Sequence, residues 1–446
     1  MTYLAYYKEI IKLGLPILVG QLGMIAVGFA DNIMVGNYST DALASASFVN
    51  NVFNIALMLC LGFTYGLTPL IGALYASKRQ EDIGATLRRG LKINLIFSLA
   101  VTAAMFVLYL NLDRLGQPKE LLPMIRTYYL IYLAGVVPVA VFNVFAQWSY
   151  ALRGTTMPMV IIMIANCINV LGNYMLISGH LGAPELGLTG AGLSTLLARV
   201  LCPIAIIAVF AFRRGWEGYR RGFMGRGGVS IEGRRIFRTS LPVGLQMSME
   251  TGSFSIACVM AGWLGKIELG AFQILLIVGT LGFCIYYSMG TSVSVMVANA
   301  AGKGDHVLMR RIGWAGYMVI LSFAAVSSII FIIFGKDLIG LFSDDEAVTT
   351  LAIAQILPLV LYQLGDATQI TFANALRGTS HVMPMLWIAF VSYLIVGIPA
   401  TYLLGFTARL GLYGIYLSFS VSLFLAGGLF MYFFLKNTRH IPRPNS

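Results

Sequence analysis

Most of this chain consists of apolar runs long enough to cross a bilayer, and that constrains the fold more than any motif in it. Runs that meet the roughly 20-residue requirement for a spanning helix fall at about 10–36, 48–76, 91–112, 124–150, 156–179, 189–212, 239–264, 270–301, 313–335, 348–376, 382–405 and 411–435. Twelve such runs in 446 residues, 58% of them hydrophobic and 11% charged, carry more apolar surface than a water-soluble core could hide. The first run is too long for a signal h-region and lacks a small-residue cleavage site, so it reads as a retained helix. Several runs contain proline (Pro16, Pro69, Pro138, Pro242, Pro358, Pro399), which a membrane bundle tolerates as kinks. The expected class is an all-α integral membrane protein.

Charge sets the orientation. The formal net charge of +12 lies in short segments between apolar runs, so no solvated basic surface is available for nucleic acid. With the N-terminus in the cytoplasm, 23 Lys and Arg fall on the inner side and six on the outer side, and Arg199 alone is intramembrane. The largest contribution is residues 213–238, "RRGWEGYRRGFMGRGGVSIEGRRIFR", with eight arginines. It reads as a cytoplasmic linker, and both termini are expected inside. The five cysteines (Cys60, Cys167, Cys202, Cys258, Cys284) sit in apolar segments without CxxC spacing and read as packing residues.

The chain repeats itself. "ALRGTTMPM" from Ala151 returns as "ALRGTSHVMPM" from Ala375, and the same shift of 224 aligns "LGLTGAGLS" from Leu186 with "LGLYGIYLS" from Leu410. A shift of 226 aligns Leu15-Pro16 with Leu241-Pro242 and "MVG" at Met34 with "MAG" at Met260. Four matches in order point to two six-helix lobes, 1–212 and 239–446, joined by the linker 213–238. Six is even, so both lobes enter the membrane in the same sense and are expected to be related by a pseudo-twofold axis along the membrane normal. The acids are not repeated: Asp31 aligns with Ala257, Glu250 with Met24 and Asp366 with Phe142.

Those acids are costly. A carboxylate at the centre of a spanning helix costs about 2.5–3.5 kcal/mol on insertion scales, and such residues usually mark ion paths. Counted from the nearest cytoplasmic arginine at about 1.5 Å per residue, Glu250 lies roughly 18 Å in and Asp366 roughly 16–17 Å in. Tyr362 is one turn from Asp366 on the same face. In the first lobe Asp31 comes to roughly 28 Å, Asn169 to 24 Å, Asn173 to 30 Å and Thr195 to 27 Å by the same rise. Carboxylate, amide and hydroxyl oxygens at one depth resemble the shell a small cation needs. Asn169, Asn173 and Thr195 read equally well as interhelical hydrogen-bonding groups. Arg199, one turn from Thr195, leaves two readings open: an ion pair with Asp31, or support of its own helix.

With these residues assembled, the chain resembles the multidrug and toxic compound extrusion (MATE) family, in its NorM-like branch. The resemblance runs over essentially the whole chain and rests on "LPILVGQ…DNIMVG", "LPVGLQMSMETGS", "LYQLGDATQITFANALRGT" and the first-lobe "ALRGT". It implies a second-lobe cation site of Glu250 and Asp366, with sodium as the metal they hold and Tyr362 facing the ion. It also implies a first-lobe site of Asp31, Asn169, Asn173 and Thr195, and, as a weaker transfer, drug contacts at Gln273 and at Asp345 in the outer "FSDDEA" loop. No cofactor is implied beyond a coupling ion, sodium or proton.

The function that follows is secondary active export of amphipathic organic cations by alternating access, in antiport with sodium. The protein is expected to be a monomeric, multi-pass protein of a bacterial inner membrane. Proton-coupled drug antiport and a lipid-linked precursor flippase of the same superfamily are the alternatives. A channel is disfavoured because unlike acids in two halves form no selectivity ring. An enzyme is disfavoured because no HExxH, Walker loop or Ser/His pairing occurs.

Overall fold

A computed structural model describes residues 3–342 and 345–439. Ser343 and Asp344 of the outer loop, and the tail 440–446 of the second lobe with the C-terminus expected inside, lie outside the described residues. The described chain is helical, and each of the twelve expected spans is present. The first half comprises α1 (Tyr3–Tyr38), α2 (Thr40–Tyr65), α3 (Leu67–Ala76), α4 (Gln80–Leu110), α5 (Leu122–Ala134), α6 (Val136–Ala151), α7 (Thr156–Ser178) and α8 (Gly187–Phe212). A short α9 (Glu217–Met224) follows, then α10 (Gly233–Leu264), α11 (Lys266–Gly302), α12 (His306–Gly340), α13 (Glu346–Ile353) and α14 (Ile356–Gly378). The last spans are α15 (Met383–Ala389) with α16 (Ile398–Tyr402), and α17 (Gly411–Asn437).

Three spans are broken, and proline explains where. A proline ring collides with the carbonyl four residues earlier and offers it no N–H. Four before Pro69, Pro138 and Pro358 are Tyr65, Ala134 and Ala354, and the helices stop at or next to each of them. The break ahead of Pro358 bends α13 against α14 by 53°. Pro399 is accommodated differently: its span widens into π-helix at Phe390–Gly397, the segment holding the carbonyl four residues back, and again at Leu403–Thr407.

Among the described residues ten spans, the broken α2–α3 and α5–α6 included, are long and apolar enough to cross a membrane, and the more sharply bent α13–α14 pair makes an eleventh. The remaining span, α10, is less apolar because Gln246, Ser248, Glu250, Thr251, Ser253 and Ser255 crowd its middle. The two exceptional spans, α10 and α13–α14, therefore carry Glu250 and Asp366.

Contacts divide the chain into two compact units, Val19–Gly244, and Met1–Leu18 together with Leu245–Ser446. In the first unit, Val49, Phe53, Tyr129, Val136 and Ala191 form part of a buried cluster. The arginine-rich segment after α8 is folded onto this unit: Asp82 accepts from the Val229 N–H (2.6 Å), Thr86 from the Ile231 N–H (3.2 Å), and Arg89 donates to the Ile231 carbonyl (3.2 Å). In the second unit α14 and α17 approach closely at small residues. A methyl group added at Gly427 would meet Thr368 and the Gln369 backbone at 3.0–3.1 Å, so this glycine sets how near α17 comes to the Asp366 face. Cys60 and Cys284 are buried, whereas Cys167, expected in packing, faces outward.

Candidate ion-coupling sites

In the second unit, Glu250 on α10 and Asp366 on α14 are brought within electrostatic reach of each other. The Glu250 Oε2 atom accepts from Gln246 Nε2 one turn earlier on α10 (2.7 Å) and from Gln369 Nε2 on α14 (3.3 Å). Tyr393, from the π-helical segment, turns its hydroxyl toward Glu250 and Gln369 without an aligned hydrogen bond to either. Tyr362 stands within reach of both carboxylates, its ring against Phe254 and Phe419 at 6.1 Å each.

The oxygens of this cluster are poor in donors. Asp366 is only 2% exposed, and its Oδ2 has no donor among the described residues. The same holds for Gln246 Oε1, Gln369 Oε1 and, three residues before Asp366, Gln363 Oε1. The amide nitrogens are spent on Glu250 and, for Gln363, on the Gly279 carbonyl (3.3 Å). Buried acceptors without donors are destabilising by about 1–3 kcal/mol each. A bound cation or a proton would supply what they lack.

The first unit gathers Asp31 (α1), Asn169 and Asn173 (α7) and Thr195 (α8) into one chain of contacts. Asn173 Nδ2 donates to Asp31 Oδ1. The Asn169 amide can be seated two ways: with Nδ2 donating to Thr195 Oγ1 (3.1 Å), or rotated so that the nitrogen donates to Asp31 Oδ1 (3.0 Å) and the oxygen accepts from Thr195. The rotated form gives both atoms of the Asn169 amide a partner, while Asn173 Oδ1 has no donor among the described residues. Arg199 makes no salt bridge with Asp31. Its guanidinium lies 4.0 Å over the Tyr132 ring, and it acts on Asp31 only through the field of its charge.

The residues expected at drug contacts lie outside both clusters. Gln273 is exposed and donates to Cys258 Sγ (3.1 Å). Asp345 is the N-cap of α13, accepting from Ala347 N (2.9 Å) and Val348 N (3.3 Å), a structural task that alone accounts for an aspartate there. Among the described residues no three His, Cys, Asp or Glu side chains gather as a metal site, so any cation at Glu250 and Asp366 would draw on amide and hydroxyl oxygens.

Sequence reasoning passed over Gln246, Gln363, Gln369 and Tyr393. The three glutamines stood at helical spacing from the acids (246/250, 363/366, 366/369), which is signal enough to find them. Tyr393 had no such signal, because a π-helical turn changes which residues share a face.

Twelve spans with acids buried among amides describe a multi-pass membrane protein with polar sites inside its bundles. The family described as MatE matches residues 16–175 and 242–403, and the chain belongs to that family, which is one of transporters, not enzymes. It is similar to the "Probable multidrug resistance protein NorM" of Bradyrhizobium diazoefficiens, 28% identical over 442 residues covering 98% of this chain and 94% of that protein. The "Multidrug resistance protein NorM" of Aliivibrio fischeri is 27% identical, covering 93% and 92%. A crystal structure of the eukaryotic MATE transporter AtDTX14 shares the fold, with a TM-score of 0.84 at 17% identity and 98% of each chain covered.

Proposed function

We propose that this protein is a multidrug efflux transporter that exports amphipathic organic cations in antiport with sodium by alternating access, acting as a monomer. Near-full-length likeness to proteins named for multidrug resistance supports the export of several drugs. The observation that carries sodium coupling is the donorless Asp366 Oδ2, buried beside Glu250 on a helix face that also presents the donorless Gln369 Oε1 and Gln363 Oε1. Hard monovalent cations favour such carboxylate and amide oxygens, whereas a proton needs only one carboxylate.

Two carboxylates in one desolvated place cannot both stay ionised unless a counter-charge joins them. With a cation bound, the pair is compensated. With the cation gone, the pair must be protonated, re-paired or returned to water, so the ion binds the two states of the transporter with different affinity. That difference is what a ligand needs to shift a conformational equilibrium. Inward movement of one charge releases about 2.3 kcal/mol per 100 mV, enough to support export of a drug held with modest affinity.

Proton coupling is the second reading, favoured by Asp31, whose carboxylate already holds amide donors and would exchange a proton more readily than a metal ion. Purified protein in liposomes, loaded with a fluorescent organic cation, separates the two. Sodium coupling requires substrate movement driven by a sodium gradient at fixed pH; movement driven only by a pH gradient replaces it with proton antiport. Transport of a lipid-linked anion and of no organic cation would remove drug export altogether.

A further inference from the structure

Away from both acid clusters, the first unit has a cavity of about 330 Å³ lined by Tyr75, Trp148, Thr156, Arg213, Trp216 and Tyr219, among others. It gathers the ends of α3, α6 and α8, the start of α7 and the helix α9. It lies on the arginine-rich side of the unit, which loop charge assigns to the cytoplasm.

Three features of the cavity call for an anion. Trp148 is fully buried, wedged edge-on against Trp216 (4.8 Å), Phe210 (5.2 Å) and Tyr219 (5.8 Å), yet its indole Nε1–H has no acceptor among the described residues. A buried donor without an acceptor is uncommon and costly. The second feature is the N-terminus of the 23-residue helix α7. Thr156 and Met157, its first two residues, line the cavity, and no side chain caps it. Their N–H groups, with the positive end of the helix dipole, face outward from the helix start. Third, Arg213 lies 4.7 Å over the Trp216 ring and makes no salt bridge among the described residues. The nearby Glu217 is committed elsewhere: it accepts from the Gly215 N–H (3.1 Å) and Arg220 (3.1 Å), and bonds from its own and the Gly215 backbone N–H hold its carboxyl below the usual range.

We propose that this cavity is a phosphate-binding site, with Trp148 Nε1–H, the α7 N-terminus and Arg213 as donors and the aromatic walls covering an apolar stem. Planar guanidinium and backbone N–H groups suit a tetrahedral oxyanion. Indole rings suit the membrane interface, where headgroup phosphates lie. The phosphate could be carried by an anionic phospholipid of the cytoplasmic leaflet, which basic segments attract, or by a soluble phosphate.

Intrinsic tryptophan fluorescence of the full-length protein in detergent reads the site, since Trp148 and Trp216 form its wall. The probes are short-chain phosphatidylglycerol, inorganic phosphate, and a short-chain diacylglycerol that lacks phosphate. Saturable change with phosphatidylglycerol but not diacylglycerol, weakened about tenfold or more in Arg213→Gln by loss of a charge-assisted hydrogen bond, supports the site with a lipid source. The same pattern with inorganic phosphate supports it with a soluble source. Trp148→Phe keeps an aromatic side chain, smaller than the indole, and removes the N–H; because it also alters the reporter, its affinity is read by native mass spectrometry, where weaker binding is again expected. Arg213 is exposed, so Arg213→Gln is expected to fold and to elute like the parent protein. Diacylglycerol binding equal to phosphatidylglycerol, no saturable response to either phosphate probe, or undiminished binding in both variants would overturn the proposal. None of these outcomes depends on drug transport or its coupling ion.

Discussion

Asp31 and Asp366 are the same side chain, each on a membrane-spanning helix and each surrounded by amides, yet their surroundings are complementary. Around Asp31 the amides of Asn169 and Asn173 turn their nitrogens to the carboxylate, and Thr195 closes the chain behind them. Around Asp366 and its neighbour Glu250 the amides of Gln246, Gln363 and Gln369 give their nitrogens to Glu250 or to backbone and leave oxygens without donors. The protein itself supplies two amide donors to the first carboxylate, although the Asn173 Oδ1 beside it has no donor among the described residues. The second depends on something brought from outside. Burial sharpens the difference: Asp366 is 2% exposed, whereas Asp31 is partly exposed. A site meant to take up and release an ion gains from incompleteness, because the ion then changes the energy of the state that holds it.

The comparison breaks most directly at Asp366. Asp366→Asn is expected to lower ion-driven efflux by about two orders of magnitude, since it removes the charge that the cation would pair with. Taking one of two like charges out of a desolvated place relieves repulsion rather than stranding a partner. Elution and thermal melting should stay near those of the parent. Near-normal flux in this variant would take Asp366 out of the mechanism and leave Asp31 as the coupling acid.

A smaller effect is expected at Gln369. Gln369→Leu removes both an oxygen of the donor-poor set and the hydrogen bond to Glu250. Sodium half-saturation, read from substrate efflux at fixed pH, should rise about tenfold, as for loss of a hydrogen bond to a charged group. If the variant responds to sodium as the parent does, the unpartnered amide oxygens are not part of an ion shell.

Asn173→Ala tests the other side. It withdraws one of the two amide donors from Asp31 and should lower stability by about 1.5–3 kcal/mol, the usual worth of a hydrogen bond to a charged group, seen as a lower melting temperature. Sodium half-saturation should change little. A large sodium effect with unchanged melting would show that Asp31 too is waiting for a cation, and the contrast between the clusters would fail. The smallest change is expected for Thr195→Val, which loses one interhelical hydrogen bond of about 0.6–1.7 kcal/mol and keeps the side-chain volume.

Much of this was legible in the sequence because the bilayer imposes simple rules. Run length gave the number of spans, and three of the prolines marked breaks, although Pro16 and Pro242 lie inside unbroken helices. The same rules singled out Asp31, Glu250 and Asp366, because a carboxylate in an apolar run is too costly to be incidental. Depth counting brought Glu250 to Asp366 and Asp31 to Asn169, Asn173 and Thr195, since helix rise is uniform. Tertiary structure decided what that counting could not reach. Which atom of an amide faces a carboxylate depends on side-chain rotation across a helix interface, and it separates the donor-rich cluster from the donor-poor one. Arg199 was placed on the Tyr132 face rather than on Asp31 by a ring three helices earlier in sequence. Asp345, a charge in an outer loop by sequence, became a helix cap because the chain there turns into α13. Tyr393 comes near Glu250 from a segment that widens to π geometry ahead of Pro399, a local change of helix register that residue spacing does not encode.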